Sequence, residues 1–220
     1  MSKDSRDSMA DVDSVADVDA PTDMKSPTKL NGEIVGEGDG VVRSGKLLWL
    51  LRHAKTYKDP PPGGNDHDRR LEPVGQSQAD ALGMTLANLH SQTLSSLDLP
   101  ELILTSTAQR AIETVERVAS AMNTRPILVK TRSLYAASVD DLIEELQIRD
   151  SDTRSIMLVG HNPTFSQLAS MLISEADRTG LDRLGDKGLP TCGLAVFNIP
   201  IESWRDLSLG TGTLLEFFTD

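Results

Sequence analysis

Apolar and polar positions fall into blocks along the chain, and the block pattern separates strands from helices. Leu47-Leu48-Trp49-Leu50-Leu51 is apolar without interruption and stops at Arg52-His53. Such a run has the length of a buried strand, predicted over 46–52. Further strands are predicted at Glu101–Thr105, at Pro126–Val129 and at Ser155–Val159, the last ending in Gly160-His161-Asn162-Pro163. Between them the apolar period lengthens. Ala79, Leu82, Leu86 and Leu89 recur at spacings of three, four and three, which predicts a helix over Val74–Leu89. Ser106 and Gln109 have capping-box spacing ahead of a second helix running to about Met122. A third helix is predicted over Val139–Arg149, burying Leu142, Ile143 and Leu146. A fourth starts with Pro163 in its first turn and runs to about Ile173. After a Gly-rich loop, Gly193–Ile199 and Thr213–Phe218 read as two closing strands. Strand and helix patterns in alternation predict a layered α/β fold with a largely parallel central sheet.

Two stretches stand outside this alternation. Residues 1–45 hold ten acidic and five basic residues, isolated valines and no aromatic residue. Too little apolar surface is present there to offset the entropy of ordering, so an acidic disordered tail is expected over 1–45 and one folded domain over 46–220. Residues 56–73 carry four prolines and two glycines, and are expected to form a loop walling the region beyond the first strand.

Charge and cysteine content narrow the function classes. With 22 basic against 33 acidic residues, net −11, neither nucleic acid nor an anionic membrane is an expected partner. The single cysteine, Cys192, excludes an internal disulfide and is expected to be a small buried residue. No apolar run approaches the roughly 20 residues of a membrane span. No signal core or transit composition is seen at the N-terminus, so a cytoplasmic location is expected. No zinc spacing, Walker loop or dinucleotide fingerprint occurs, and no metal or cofactor is expected.

The chemistry concentrates at strand ends, where ligands of open α/β sheets bind. Three strands end in groups of one kind: Arg52-His53, Ser106 through Arg110, and Gly160-His161. Arg110 and Thr114 share a helix face near that helix's start. If these strands are neighbours, two guanidiniums and a histidine surround a second histidine. That set suits phosphoryl transfer: fixed cations stabilise charge spread over three oxygens, and a neutral imidazole nitrogen can hold the phosphoryl group covalently. The helix start after His161 adds its dipole.

The segments Leu51-Arg52-His53-Ala54-Lys55, Asp66-His67-Asp68-Arg69-Arg70-Leu71 through Gly75, Ser106-Thr107-Ala108-Gln109-Arg110-Ala111-Ile112-Glu113-Thr114, Leu134-Tyr135 and Val159-Gly160-His161-Asn162-Pro163 together resemble the histidine phosphatase superfamily, whose fold is that of phosphoglycerate mutase. More narrowly they resemble its SixA-type phosphohistidine phosphatases, over residues 47 to about 219. The resemblance implies that His53 is the phosphorylated nucleophile. It implies that Arg52, Arg110 and His161 clamp the phosphate, with His161 as a charged donor, and that Arg69 lines the mouth; Ser106 and Asn162 are further candidates for substrate binding. Arg70 and Glu72 depart from the family's proline and Ser/Thr. No acid stands at the position from which larger members protonate the leaving group; Asp66, Asp68 and Asp140 are the carboxylates left for that task.

The expected function is therefore a metal-independent phosphatase working through His53. A protein phosphohistidine is the favoured substrate, because no insertion is evident that could roof the site. A small phosphorylated metabolite, such as a sugar phosphate, is the alternative enzyme substrate, and a phospho-partner binding module is the alternative of another class.

Overall fold

The computed structural model describes residues 45–91, 97–122 and 125–219, together with the backbone of 29–30, 33–35 and 41–43. Six strands form the central sheet: β1 (Lys46–Arg52), β2 (Leu102–Ser106), β3 (Ile127–Thr131), β4 (Ser155–Gly160), β5 (Leu194–Ile199) and β6 (Thr213–Phe218). Their spatial order is β3-β2-β4-β1-β5-β6. The first four of that order run parallel, and β5 is antiparallel to both β1 and β6. The expected layered α/β fold with a largely parallel sheet is what the chain adopts.

Alternation along β1 divides the core in two. Leu48 and Leu50 join one apolar cluster, while Leu47, Trp49 and Leu51 join the other. A strand buried on both faces reads as a continuous apolar run for this reason. The second cluster includes residues of α1 (Pro73–Ser91) and α2 (Gln109–Met122). The first includes residues of α3 (Val139–Gln147), α4 (Thr164–Leu172) and α5 (Arg178–Leu184), with Trp204 fully buried. At Gly75, in the first turn of α1, a Cβ would lie 2.0 Å from the Lys55 carbonyl oxygen, so this helix approaches the end of β1 as only glycine allows.

Several boundaries differ from the sequence reading. α5 lies inside the expected Gly-rich loop; its short amphipathic signal is only Leu181 and Leu184, and the N-cap Asp177 that starts it accepts from the Gly180 N–H. The Ser106–Gln109 capping box does not form. Ser106 is the last residue of β2, and the Gln109 side chain donates to Glu113 instead. Pro163 stands just ahead of α4 rather than inside it. The 56–73 loop contains one turn of 3-10 helix, Asp66–Asp68, capped by Asn65. Within 1–45, the region expected to be disordered, Lys29–Leu30, Glu33–Val35 and Val41–Arg43 pair as an antiparallel ribbon. The rest of that segment up to Ser44 lies outside the described residues. No described helix is long and apolar enough to cross a membrane.

Candidate active site

The strand order makes β2, β4 and β1 neighbours, so the ends at Ser106, Gly160 and Arg52 meet on one edge of the sheet. In the β1–β4 register Arg52 pairs with Gly160. The His53 N–H continues that pairing to the Gly160 carbonyl at 3.0 Å.

The tautomer of His53 follows from one contact. Its Nδ1 lies 2.8 Å from the Ala54 carbonyl oxygen. A carbonyl only accepts, so Nδ1 carries the proton and Nε2 keeps its lone pair. The backbone on both sides of Ala54 is itself fixed: its N–H donates to Thr114 Oγ1 at 3.0 Å, and the Lys55 N–H, in the peptide that carries the Ala54 carbonyl, donates to Gln78 Oε1 at 3.1 Å. Burial pushes the His53 pKa down to about 4; the Ala54 bond opposes this, and the Arg110, Arg52 and Arg69 charges add to it. His53 is thus neutral at pH 7 and presents a nucleophilic nitrogen.

His161 faces it, with ring centroids 5.1 Å apart. The Nε–H of Arg110 points to His161 Nδ1 at 3.3 Å, which makes Nδ1 the acceptor; Nε2–H then donates to Ser106 Oγ at 2.9 Å. Burial lowers the His161 pKa to about 3, followed by the His53 and Arg110 charges. In this arrangement His161 is neutral, since it is buried among cations and its Nδ1 accepts from Arg110. A phosphate dianion beside it supplies the opposite charge that favours protonation.

The two arginines expected to clamp the phosphate are held differently. Arg52 gives Nη1 to the Leu189 carbonyl at 2.9 Å, while its buried Nε has no partner among the described residues. A buried guanidinium N–H without an acceptor is costly, and an anionic oxygen is the acceptor that it suits. Arg110, only 7% exposed, donates from Nη1 to the Asp66 carbonyl oxygen at 2.7 Å and from Nη2 to Asp66 Oδ2 at 3.1 Å.

The remaining predicted residues sit at or behind this centre. Ser106 Oγ also accepts the Ala108 N–H at 3.3 Å. Asn162 donates to the same Leu189 carbonyl as Arg52, at 2.9 Å, and its Oδ1 accepts from both the N–H and the hydroxyl of Ser166. It therefore caps α4 and shapes the 189 turn. Two of the first three N–H groups of α4 are spent inside the protein: Phe165 bonds the His161 carbonyl and Ser166 bonds Asn162. Arg69 donates to the Tyr57 carbonyl, to Thr56 Oγ1 and to Asp66 Oδ1. It lies close enough for its charge to act on His53, yet three of its five N–H groups bind the loop.

The carboxylates considered as proton donors are placed unequally. Asp66 is held ionised, with its pKa lowered to about 2, chiefly by the hydrogen bond from Arg69, then by the Tyr135 bond and the Arg110 charge, against burial. Asp68 accepts the Asn65 N–H as part of a cap. Asp140 is exposed in the first turn of α3. Arg70, where the family has proline, ion-pairs with Glu113 at 2.7 Å, and Glu113 also accepts the Leu71 N–H. Glu113, through its bond to the Leu71 N–H, fastens the loop to α2 without the ring.

Sequence reasoning missed three supports. The 189–193 segment carries the Leu189 carbonyl and the Cys192 N–H that holds the His53 carbonyl at 3.1 Å; Cys192 adopts φ +59° to do so. Nothing in that segment's composition announces the role. Tyr135 reaches Asp66 Oδ2 through its hydroxyl at 3.0 Å and sets its ring edge-on to His161. Asp66 is a hub rather than an acid, and the only sequence trace of this is Arg69 three residues on. Among the described residues no group of three His, Cys, Asp or Glu side chains could hold a metal ion.

Comparisons with known proteins agree with this geometry. Residues 48–133 match the family description of the histidine phosphatase superfamily (branch 1). An uncharacterized protein of Mycobacterium tuberculosis is 32% identical over 169 residues, covering 76% of this chain and 98% of that one. Among solved structures, a candidate phosphohistidine phosphatase SixA from Agrobacterium tumefaciens is 28% identical, with TM-score 0.64, over 80% of this chain and 99% of that chain. A second SixA candidate, from Nakamurella multipartitia, is 25% identical, with TM-score 0.65, over 80% of this chain and 96% of its own.

Proposed function

Because this chain belongs to the histidine phosphatase superfamily, in its SixA-type branch, and is a phosphatase of that superfamily, we propose that its substrate is a phosphohistidine carried on a protein. In this reading Nε2 of His53 attacks phosphorus while Arg52 and Arg110 hold the equatorial oxygens. The bond from phosphorus to the substrate's imidazole nitrogen breaks, and that ring, protonated on its other nitrogen, leaves neutral. Water then displaces Nε2 from phosphorus, which releases orthophosphate and restores His53.

The substrate class rests on one observation. Asp66, the carboxylate at the site, receives Arg69, Arg110 and Tyr135 and stays ionised. An alkoxide leaving group needs a proton in the transition state; a protonated imidazole brings its own. Sugar phosphates therefore lack the acid they require, whereas phosphohistidine does not need one.

The test is phosphate release, without added metal, from a phosphohistidine-bearing protein, a sugar-phosphate panel and an aryl phosphate. Release from phosphohistidine and the aryl phosphate, with sugar phosphates at least about 100-fold slower, is expected. His53→Ala abolishes both turnover and phosphoenzyme trapping. Preferential turnover of a sugar phosphate would refute the substrate class. Binding without turnover of any of the three would instead make the chain a phospho-partner module.

A further inference from the structure

We propose that Asp66 is the counter-charge of the anion site: it positions Arg110 and offsets one of the site's positive charges, so that orthophosphate is released rather than retained. The inference rests on the reading of His53, Arg52, Arg110 and His161 as a phosphate site.

The geometry is a four-donor cradle. Asp66 Oδ2 accepts from Arg110 Nη2 at 3.1 Å and from the Tyr135 hydroxyl at 3.0 Å. Oδ1 accepts from Arg69 Nη1 at 3.0 Å, and the Asp66 carbonyl accepts from Arg110 Nη1 at 2.7 Å. The donors come from α2, from the 56–73 loop and from the turn Arg132–Leu134 that leads to Tyr135. One residue thus ties three separate parts of the chain to the guanidinium that faces His161.

The charge balance gives the cradle its consequence. Arg52, Arg69 and Arg110 are permanently cationic, and burial among these cations keeps both histidines neutral. With the Asp66 carboxylate the group carries two net positive charges, the match for a phosphate dianion. Without it the group carries three. Binding that favours product and transition state equally gives no gain in turnover, and an anion held too tightly leaves slowly.

Asp66→Asn removes the charge and nearly preserves the shape. The amide oxygen of that variant still accepts, the main-chain bond to Arg110 Nη1 persists, and so does the bond from Arg110 Nε to His161. A general acid and a counter-charge respond differently to this change. Loss of a general acid slows alkyl phosphates far more than aryl phosphates. Loss of a counter-charge strengthens the binding of inorganic phosphate and slows the aryl ester, whose turnover phosphate release limits, more than the alkyl ester, whose turnover the missing acid limits.

The experiment is calorimetric titration of the full chain with inorganic phosphate, paired with turnover of one aryl and one alkyl phosphate. Asp66→Asn is expected to bind phosphate about tenfold more tightly, the scale of one nearby charge at partly screened distance, with kcat reduced by up to that factor on the aryl ester and little changed on the slower alkyl ester. Unchanged or weaker phosphate binding overturns the proposal. So does a loss confined to the alkyl ester, which would make Asp66 the proton donor. Tyr135→Phe keeps the ring against His161 and removes one donor from the carboxylate, leaving its charge less quenched. About twofold weaker phosphate binding is expected there, on the same electrostatic grounds, and tighter binding would count against the counter-charge, whether or not Asp66→Asn folds. A wild-type chain that binds no phosphate would defeat the phosphate-site reading itself, and the counter-charge with it. Phosphate binding that is intact in the wild type and unmoved in Asp66→Asn would defeat the counter-charge alone.

Discussion

Replacing Thr114 by valine tests how His53 is held. Thr114 is fully buried on α2, and its hydroxyl links two backbones: Oγ1 accepts the Ala54 N–H at 3.0 Å and donates to the Arg110 carbonyl at 2.7 Å. Ala54 in turn offers its carbonyl to His53 Nδ1. Valine matches the shape of threonine but has a methyl group in place of the hydroxyl, so no cavity opens and only the hydrogen bonds are lost. A buried donor left without an acceptor costs about 1–3 kcal/mol. For a domain of this size that corresponds to a fall in melting temperature of roughly 2–12 °C. The same loss loosens the backbone at Ala54, leaving the carbonyl that fixes the His53 tautomer held only through the Lys55 N–H bond to Gln78. A fall in kcat of at least about tenfold, equivalent to roughly 1.4 kcal/mol, is therefore expected on an aryl phosphate. Thr114→Ser restores the hydroxyl and should recover most of both losses. Thermal and urea unfolding, with steady-state turnover of all three proteins, provide the assay. A valine variant that melts within about 1 °C of wild type, below the smallest shift expected, and turns over at its rate would refute the chain of support from α2 to His53.

Two further tests address acidity and the loop. In an NMR titration the His53 ring should change charge near pH 4 instead of near 6.5, because burial and the arginines favour the neutral ring; a midpoint near 6.5 would contradict a ring buried beside those arginines. The same shift sets a sign for stability. The folded-state pKa values of His53 and His161, about 4 and about 3, lie below the unfolded value. The unfolded chain therefore binds more protons, and stability is full above pH 6.5 and falls as pH drops toward 3. In the loop, Arg70→Ala should leave the melting temperature nearly unchanged, since the Arg70–Glu113 pair is screened by solvent at an arginine 67% exposed. Glu113→Ala should lower it by several degrees, because the Leu71 N–H loses its acceptor. Equal effects from the two variants would show that the ion pair, not the backbone bond, secures the loop.

Much of this arrangement was legible in the chain itself. The uninterrupted apolar run over 47–51 marks a strand buried on both faces because each face needs its own half of the side chains, and the structure divides them between two clusters. His53, Arg52, Arg110 and His161 could be named from strand ends, since a strand's last residue and the turn after it are where polar groups escape the core. Short-range rules failed where a stronger partner lay far away in sequence. Ser106 has the spacing of a helix cap, but His161 and the Ala108 N–H take its hydroxyl. Gln109 turns to Glu113, four residues on, instead of back toward Ser106.

Period and local polarity are properties of neighbouring residues, so the elements and the candidate site residues could be read along the chain. Protonation and support could not, because they arise between residues that meet only after folding. That His53 bears its proton on Nδ1 depends on the direction of the Ala54 carbonyl. That His161 is neutral depends on Arg110, 51 residues away. That Asp66 is an anchor rather than an acid depends on Arg110 and Tyr135, 44 and 69 residues away. Each outcome is set by electrostatics over a few ångströms of space, and those distances do not exist until the sheet has brought the strand ends together.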